Sequence, residues 1–173
     1  LLAFDEDESG VATDWGPTGN DGTETGVGRM IGRFGNALDV VGSGGATVPH
    51  ISAFESLDEF SLEMWMRRDG PTSDLEVLAA KGDPANFGML LFTDTLLFGF
   101  DDEDGTEWAA TASGVTDGDW HHVVGVFDGT ELALYVDGSL AGTTPTFGAT
   151  PASNTSGIAI GSFYGAGGFL DGQ

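Results

Sequence analysis

Apolar and polar residues alternate along much of this chain in short runs, which is the pattern of β-strands. The clearest run is residues 60–67, where Phe60, Leu62, Met64 and Met66 would share one face. Turn-forming residues recur about every 8–12 residues, which is typical of a sandwich. Strands are predicted at residues 1–4, 29–34, 37–41, 60–67, 75–81, 87–93, 96–101, 106–113 and 157–162. The only helical prediction is one short turn within residues 52–58.

Residues 117–143 give the strongest local prediction, a hairpin of two apolar runs. The runs are joined by Asp128-Gly129-Thr130, and a second turn is predicted at Asp137-Gly138. Asp-Gly favours tight turns because glycine adopts positive φ freely. One face of the first run holds Trp120, His122, Val124 and Val126, and the other holds His121, Val123 and Phe127. Both faces are largely apolar, so we expect cover on both sides, as between stacked sheets.

Taken together, these segments resemble the laminin G-like domains of the concanavalin A-like lectin/glucanase superfamily. The hairpin carries the W-H-H-V and L-Y-V-D-G blocks of such domains. Further similar blocks, in the family's order, are residues 3–23, 35–40, 61–66, 158–162 and 169–172. The resemblance covers nearly the whole chain. It implies an all-β fold, a two-sheet antiparallel β-sandwich of jelly-roll type, with residues 1–173 as a single domain.

The family pattern continues past the turn that Asp171-Gly172 resembles into one more strand, and here the sequence ends at Gln173. In the family that strand lies beside the N-terminal strand, so its absence would leave an open sheet edge. We expect either that the domain is a segment of a longer protein, or that a partner chain supplies the strand by β-augmentation.

Charge narrows the choice of partners. The chain has 28 acidic residues against five Lys and Arg, for a formal net charge of -23. Such a chain repels nucleic acids and anionic membranes. No apolar run approaches the ~20 residues of a membrane span, so membrane insertion is not expected.

The acidic composition resembles that of proteins from salt-adapted organisms, in which concentrated salt screens the repulsion between carboxylates. An ordinary acidic extracellular domain that binds divalent cations is the alternative. Cysteine is absent, so the fold has no disulfide.

Catalytic patterns are weak, and we expect no enzyme. His121 and His122 are adjacent in a strand and face opposite sides, so they cannot share one ion or one substrate. Glycosidases of this fold use two carboxylates at strand period. The nearest pattern is Ser61, Glu63 and Trp65, which has one carboxylate, and Glu107 and Glu131 are isolated as well.

Calcium is the cofactor that the resemblance implies. Calcium takes 6–8 oxygen ligands, which flexible acidic loops can supply. Asp14, Asn20 and Asp171 match positions where calcium is often found in the family. Residues 101–105, an acidic run that ends in glycine, are a second candidate. We interpret that run as a solvated hairpin tip.

Sugar recognition requires exposed aromatic side chains beside polar groups. Trp15, Trp108, Phe163 and Tyr164 lie in or beside predicted loops, and Trp15, Trp108 and Tyr164 are our candidates for a carbohydrate site. Trp65 and Trp120 fall in predicted core strands. The alternative role for each candidate is to anchor its loop by packing.

The resemblance implies a non-catalytic extracellular module for adhesion or binding, with a glycan or a surface protein as partner. A structural subunit or surface decoration of a virion, pilus or filament is the alternative. In that case neighbouring copies or another chain would complete the sheet. Both interpretations place the domain outside the cell, on a cell surface or on a virion surface.

Overall fold

The structure, a computed structural model, describes residues 1–6, 10–40, 44–55, 57–82 and 86–162. Two antiparallel sheets pack against each other around one apolar core, which confirms the predicted β-sandwich. A short two-stranded ribbon lies beside them. The one helical element among the described residues is a 3₁₀ turn at Ser52–Phe54, within the predicted range. No helix among these residues has the length and apolar character needed to span a membrane.

The larger sheet has eight strands in the order β1-β2-β5-β14-β7-β8-β9-β10. They are β1 Val11–Ala12, β2 Gly22–Thr25, β5 Gly45–Val48, β7 Leu75–Lys81, β8 Phe87–Phe92, β9 Thr95–Asp101, β10 Glu107–Ser113 and β14 Ile158–Ile160. The smaller sheet has the order β13-β12-β11-β6. Its strands are β6 Phe60–Asp69, β11 Asp117–Phe127, β12 Glu131–Val136 and β13 Ser139–Pro145, and the ribbon pairs β3 Gly28–Ile31 with β4 Asn36–Asp39.

The core between the sheets is built around phenylalanine. Phe60 of β6 lies 4.7 Å from Phe87 and 5.5 Å from Phe98, measured between ring centroids. Phe127 of β11 lies 4.9 Å from Phe100. Gly125 is a point of close approach between the sheets, since a Cβ there would lie 2.2 Å from the Phe98 ring. The alternation in the sequence therefore identifies the inner face of β6 correctly.

The Asp-Gly turns form as predicted. Asp137 and Gly138 both have positive φ, 51° and 77°, as a tight two-residue hairpin turn requires. At the other turn Gly129 has φ 86°. There the Asp128 carboxylate accepts hydrogen bonds from the backbone N–H groups of Thr130 and Glu131. These turns fix the register of β11, β12 and β13.

Two predictions about local structure are wrong. Residues 1–4 do not form a strand, because Phe4 adopts φ 56° and only Leu2 bridges to Asp14. The apolar hairpin is also not enclosed on both faces. His121, Val123 and Phe127 are buried, whereas Trp120 and His122 on the opposite face are only half-buried. The outer face of the hairpin is therefore partly exposed.

Candidate functional site

An aromatic cluster occupies the outer face of the smaller sheet. Trp65 of β6 and His122 of β11 are directly paired across the two strands. Their rings lie 5.1 Å apart and are inclined by 31°. Trp65 is 37% exposed, a large value for a tryptophan in the middle of a strand. Strand alternation explains the position, since Phe60, Leu62 and Met64 point to the core and Trp65 points away from it.

The turn between β3 and β4 adds a third ring and a cation. Phe34, which is 68% exposed, meets Trp65 edge to face at 5.6 Å. The guanidinium carbon of Arg33 lies 5.2 Å from both ring centroids. Asn36, at the base of this turn, donates its backbone N–H to the carboxylate of Asp5 at 2.7 Å. The N-terminal segment thus helps to hold the turn over β6.

A second aromatic and cation pair lies further along the same two strands. Arg67 and Trp120 are cross-strand partners, and the guanidinium carbon lies 5.4 Å from the indole centroid. On the side of Trp65 that faces away from Arg67, Oε1 of Glu63 lies 2.8 Å from Nε2 of His122. We call Phe34, Trp65, Trp120 and His122, with Arg33, Arg67 and Glu63 beside them, the aromatic platform.

The platform borders a large cleft of about 830 Å³. Phe34, Glu63, Trp65, Trp120 and His122 line one side, and residues 1–5 line another. Pockets of about 300–1,000 Å³ with aromatic walls and a few polar groups are typical of small-ligand sites. The platform therefore combines exposed rings, hydrogen-bonding groups and space for a ligand of oligosaccharide size.

The structure does not bring the three predicted carbohydrate residues together. Trp15 is 68% exposed and follows β1, which is one edge of the larger sheet. Trp108 belongs to β10, the other edge, where it packs on the core and donates its Nε1–H to Asp102 at 3.0 Å. Tyr164 and Phe163 lie outside the described residues. A site formed jointly by Trp15 and Trp108 is therefore not supported by this geometry.

Two of the three residues expected to bind calcium, Asp14 and Asn20, lie next to each other in the structure. The backbone N–H of Asn20 donates to Oδ2 of Asp14 at 2.9 Å. Thr18 Oγ1 donates to the same oxygen, and the Gly16 N–H donates to Oδ1. These hydrogen bonds, that of Thr18 foremost, hold the pKa of Asp14 far below its usual range. Both oxygens of Asp14 therefore accept hydrogen bonds within the loop.

The third expected ligand, Asp171, lies outside the described residues. No cluster of three or more metal-ligating side chains occurs in the part of the chain that the structure describes. In the acidic turn at residues 101–105, Asp102 accepts hydrogen bonds from the N–H groups of Asp104 and Thr106. That turn is held by its own carboxylate. Calcium binding by this chain stays a prediction.

The sequence analysis placed Trp65 and Trp120 in core strands, and it considered the face of Ser61, Glu63 and Trp65 only for paired carboxylates. The signal was present, because the residues that alternate with Phe60, Leu62, Met64 and Met66 are Ser61, Glu63, Trp65 and Arg67. A tryptophan between a glutamate and an arginine on the polar face of a strand indicates a surface position. No pattern in the sequence indicated that the β3–β4 turn would bring Arg33 and Phe34 to Trp65.

A family model described as the concanavalin A-like lectin/glucanases superfamily matches residues 41–173. No curated protein matches the chain. Among solved structures, the binding domain of Paraclostridial Mosquitocidal Protein 1 superposes with a TM-score of 0.76 at 16% identity. That match covers 88% of this chain and 42% of the other, so the chain spans about two fifths of that domain's length.

Two other similar structures were solved with saccharides. One is domain 4 of AbnA, an extracellular GH43 arabinanase from Geobacillus stearothermophilus, in complex with arabinotriose. It has a TM-score of 0.57 at 18% identity, and the match covers 84% of this chain and 76% of that one. The binding domain of Botulinum Neurotoxin DC, in complex with SialylT, has a TM-score of 0.65 at 15% identity, over 83% and 39%. At such identities the likeness establishes the fold.

Proposed function

Because the chain belongs to the concanavalin A-like lectin/glucanases superfamily, we propose that it is a non-catalytic module that binds glycans through the aromatic platform. The observation that carries the proposal is the exposure of Phe34 and Trp65 beside the cleft. Sugar rings present a flat face of C–H groups that packs on aromatic side chains, while their hydroxyls need polar partners. Glu63 and His122 supply such partners at the same place.

Several observations support this function over an enzymatic one. The similar structures are binding domains of toxins and a domain of an arabinanase. Glu63, the carboxylate that lines the cleft on β6, is engaged by His122. A glycosidase would need a second carboxylate positioned across the substrate from the first. Asp5 and Asp14 also line the cleft, and they accept the backbone N–H groups of Asn36 and Asn20, respectively. We extend the proposal to an extracellular setting, as in the secreted proteins with similar domains.

A glycan array probed with the purified domain in about 1 M NaCl tests the proposal, because such salt screens the negative surface. We expect binding to a restricted set of glycans. Phe34→Ala should weaken that binding by about fivefold or more, since one stacked ring contributes on the order of 1 kcal/mol or more. The residue lies in an exposed turn, so its removal leaves the core intact.

Phe147→Ala is the matched control, because Phe147 is also a phenylalanine in a turn and is 86% exposed. Its ring contacts Trp108 of β10, which belongs to the other sheet. Trp15→Ala tests the site expected from the sequence. Loss of glycan binding in Trp15→Ala, with full binding in Phe34→Ala, would place the glycan site at Trp15 instead of at the platform. Absence of binding to every glycan would reject the proposal.

Assembly through a sheet edge is a second candidate function. Strand β6 pairs with β11 on one side, and no strand in the described ranges pairs with its other side. An exposed strand edge is a template for a strand from another chain, as in a pilus or virion subunit. The test is light scattering in concentrated salt over a range of protein concentration. Ordered oligomers without glycan binding would favour this function, and a monomer at all concentrations would exclude self-assembly.

A further inference from the structure

We propose that the ligand of the aromatic platform is a carboxylated glycan, meaning an oligosaccharide that contains a uronic-type or sialic-type sugar. This inference rests on the proposed glycan-binding function and specifies its ligand class. The observation behind it is the distribution of the few cationic side chains. In a chain of net charge -23, an arginine without a carboxylate partner is unexpected, because partners are abundant.

Three of the five Lys and Arg side chains have structural roles. Arg29 forms an ion pair with Glu24, and Arg68 forms one with Glu76 at 3.0 Å. Lys81 is fully buried and donates to the backbone and side-chain oxygens of Asn154. Among the described residues, Arg33 and Arg67 are the two that have no carboxylate within ion-pair distance. Both lie on the aromatic platform.

The way in which these two arginines are held leaves their donors available. Arg33 lies over Phe34 and Trp65, and Arg67 lies over Trp120. A guanidinium that stacks on a ring keeps its N–H groups directed outward in its own plane. The ring also restricts the side chain, so less conformational entropy is lost when a ligand binds. The platform therefore presents two ordered, unused guanidinium edges.

The carboxylates near the platform are engaged elsewhere. Glu63 contacts His122, and Asp5 accepts the backbone N–H of Asn36. Asp69 points to the same face as Arg67, two residues further along β6, without forming an ion pair with it. These groups keep the platform from binding anions in general. An anion must therefore match the guanidinium fork closely to be bound.

A carboxylate matches that fork, since its two oxygens accept two parallel N–H bonds from one arginine. In an acidic sugar the carboxylate lies at the edge of the ring, whose face can pack on the part of Phe34 that Arg33 leaves open, since Phe34 is 68% exposed. One sugar can then use the aromatic and the cationic part of one pair simultaneously. Two such pairs on neighbouring strands suit an oligosaccharide with more than one acidic residue.

The experiment measures affinities for matched acidic and neutral saccharides in about 1 M NaCl. The probes are tri-galacturonate, tri-glucuronate and sialyllactose, each with its methyl ester, and sulfated lactose as a non-carboxylate anion. We expect each bound acid to bind at least about tenfold more tightly than its ester, as one charge-assisted pair would provide. Arg67→Gln and Arg33→Gln should each weaken binding of the acid more than binding of its ester, and so reduce that ratio by at least about threefold.

Thr150→Asp is the matched control for net charge, because Thr150 is exposed and the substitution adds the same single negative charge elsewhere. It should leave the ratio unchanged. Equal affinity for acids and esters, with both lost in Phe34→Ala, would overturn this inference and leave glycan binding in place. Stronger binding of sulfated lactose than of any carboxylate would also overturn it. Absence of binding to every probe and every array glycan would reject both proposals.

Discussion

Nδ1 of His121 lies 2.8 Å from Oδ2 of Asp137, and this contact joins β11 to the turn between β12 and β13. On its other side, Nε2 of His121 lies 3.0 Å from Oδ1 of Asp117, at the start of β11. The imidazole is buried, so both of its nitrogens are satisfied by carboxylates only when it is protonated. Burial alone disfavours the charged ring, but the hydrogen bonds and charges of Asp117 and Asp137 outweigh it and raise the pKa of His121 above 6.5.

The first prediction concerns pH. Because the pKa of His121 is higher in the folded state than in the unfolded state, its contribution is complete below about pH 6.5 and is lost as pH rises through the folded pKa. Denaturant unfolding between pH 6 and pH 9 in concentrated salt measures the loss. His121→Gln should cost about 1 kcal/mol at pH 6, since both carboxylates are half-exposed, and less at pH 9. Equal pH profiles for the two proteins would contradict this assignment.

The second prediction concerns the contact between the sheets at Gly125. A Cβ at this position would lie 2.2 Å from ring atoms of Phe98, which is enclosed in the core. Gly125→Ala should therefore destabilise the domain by about 1–3 kcal/mol, as overpacking of a core does. Gly28→Ala is the control, because a Cβ there would lie 3.7 Å from Asp39, an ordinary contact. Similar midpoints for the two variants in urea would show that the sheets can separate at no cost.

The fold was predictable where strands are long and apolar. β6, β7, β8 and β11 are close to their predicted ranges, because each carries its own alternating or continuous apolar pattern. The short strands β2 and β5 were missed, since Gly22–Thr25 and Gly45–Val48 are rich in glycine and threonine. β13 was missed for a similar reason, as its polar residues are held in register by β12. Pairing with neighbours, which a single segment does not reveal, determines these strands.

The site was less predictable than the fold. Phe34, Trp65 and His122 are far apart in the sequence. Pairing of β6 with β11 brings Trp65 to His122, and the position of the β3–β4 turn over β6 brings it to Phe34. A position in or beside a loop predicts an exposed side chain for Trp108, but in the structure Trp108 packs on the core. Strand alternation was the better guide, because it distinguishes two faces of one strand. Applied to β6, alternation alone separates Trp65 from the buried methionines on either side of it.

The third prediction concerns Lys81 and Asn154. Asn154 begins an Asn-Thr-Ser glycosylation sequence, yet its side chain accepts from Lys81 and donates to Asn86 at 2.9 Å. Burial lowers the pKa of Lys81, so the ammonium depends on these oxygens. Asn154→Ala should destabilise the domain by about 1–3 kcal/mol, whereas Thr155→Ala, at an exposed neighbour, should not. Urea unfolding of the two variants measures the difference, and equal stabilities would show that Asn154 is dispensable.

The fourth prediction concerns Asp14 and calcium. Since the carboxylate of Asp14 accepts several hydrogen bonds within its loop, Asp14→Ala should lower the thermal midpoint equally with calcium and with a chelator. Differential scanning fluorimetry of both proteins, in each condition, is the measurement. A calcium-dependent rise in the wild-type midpoint that Asp14→Ala abolishes would instead establish the calcium site that the family resemblance implies.

The fifth prediction concerns salt. With 28 acidic and five basic side chains, repulsion between carboxylates opposes the compact state, and it is screened over ~3 Å in 1 M salt but over ~30 Å in 0.01 M. The thermal midpoint should therefore fall steeply between molar and millimolar NaCl. Lowering the pH to about 4.5 in millimolar salt should restore part of the loss, because exposed carboxylates then begin to protonate. A midpoint that is constant across salt would remove the physical basis for a salt-adapted origin. Protonation and screening both reduce the repulsion between carboxylates. A thermal midpoint that falls when salt is removed, and that acid does not restore, would therefore indicate specific ion binding rather than screening.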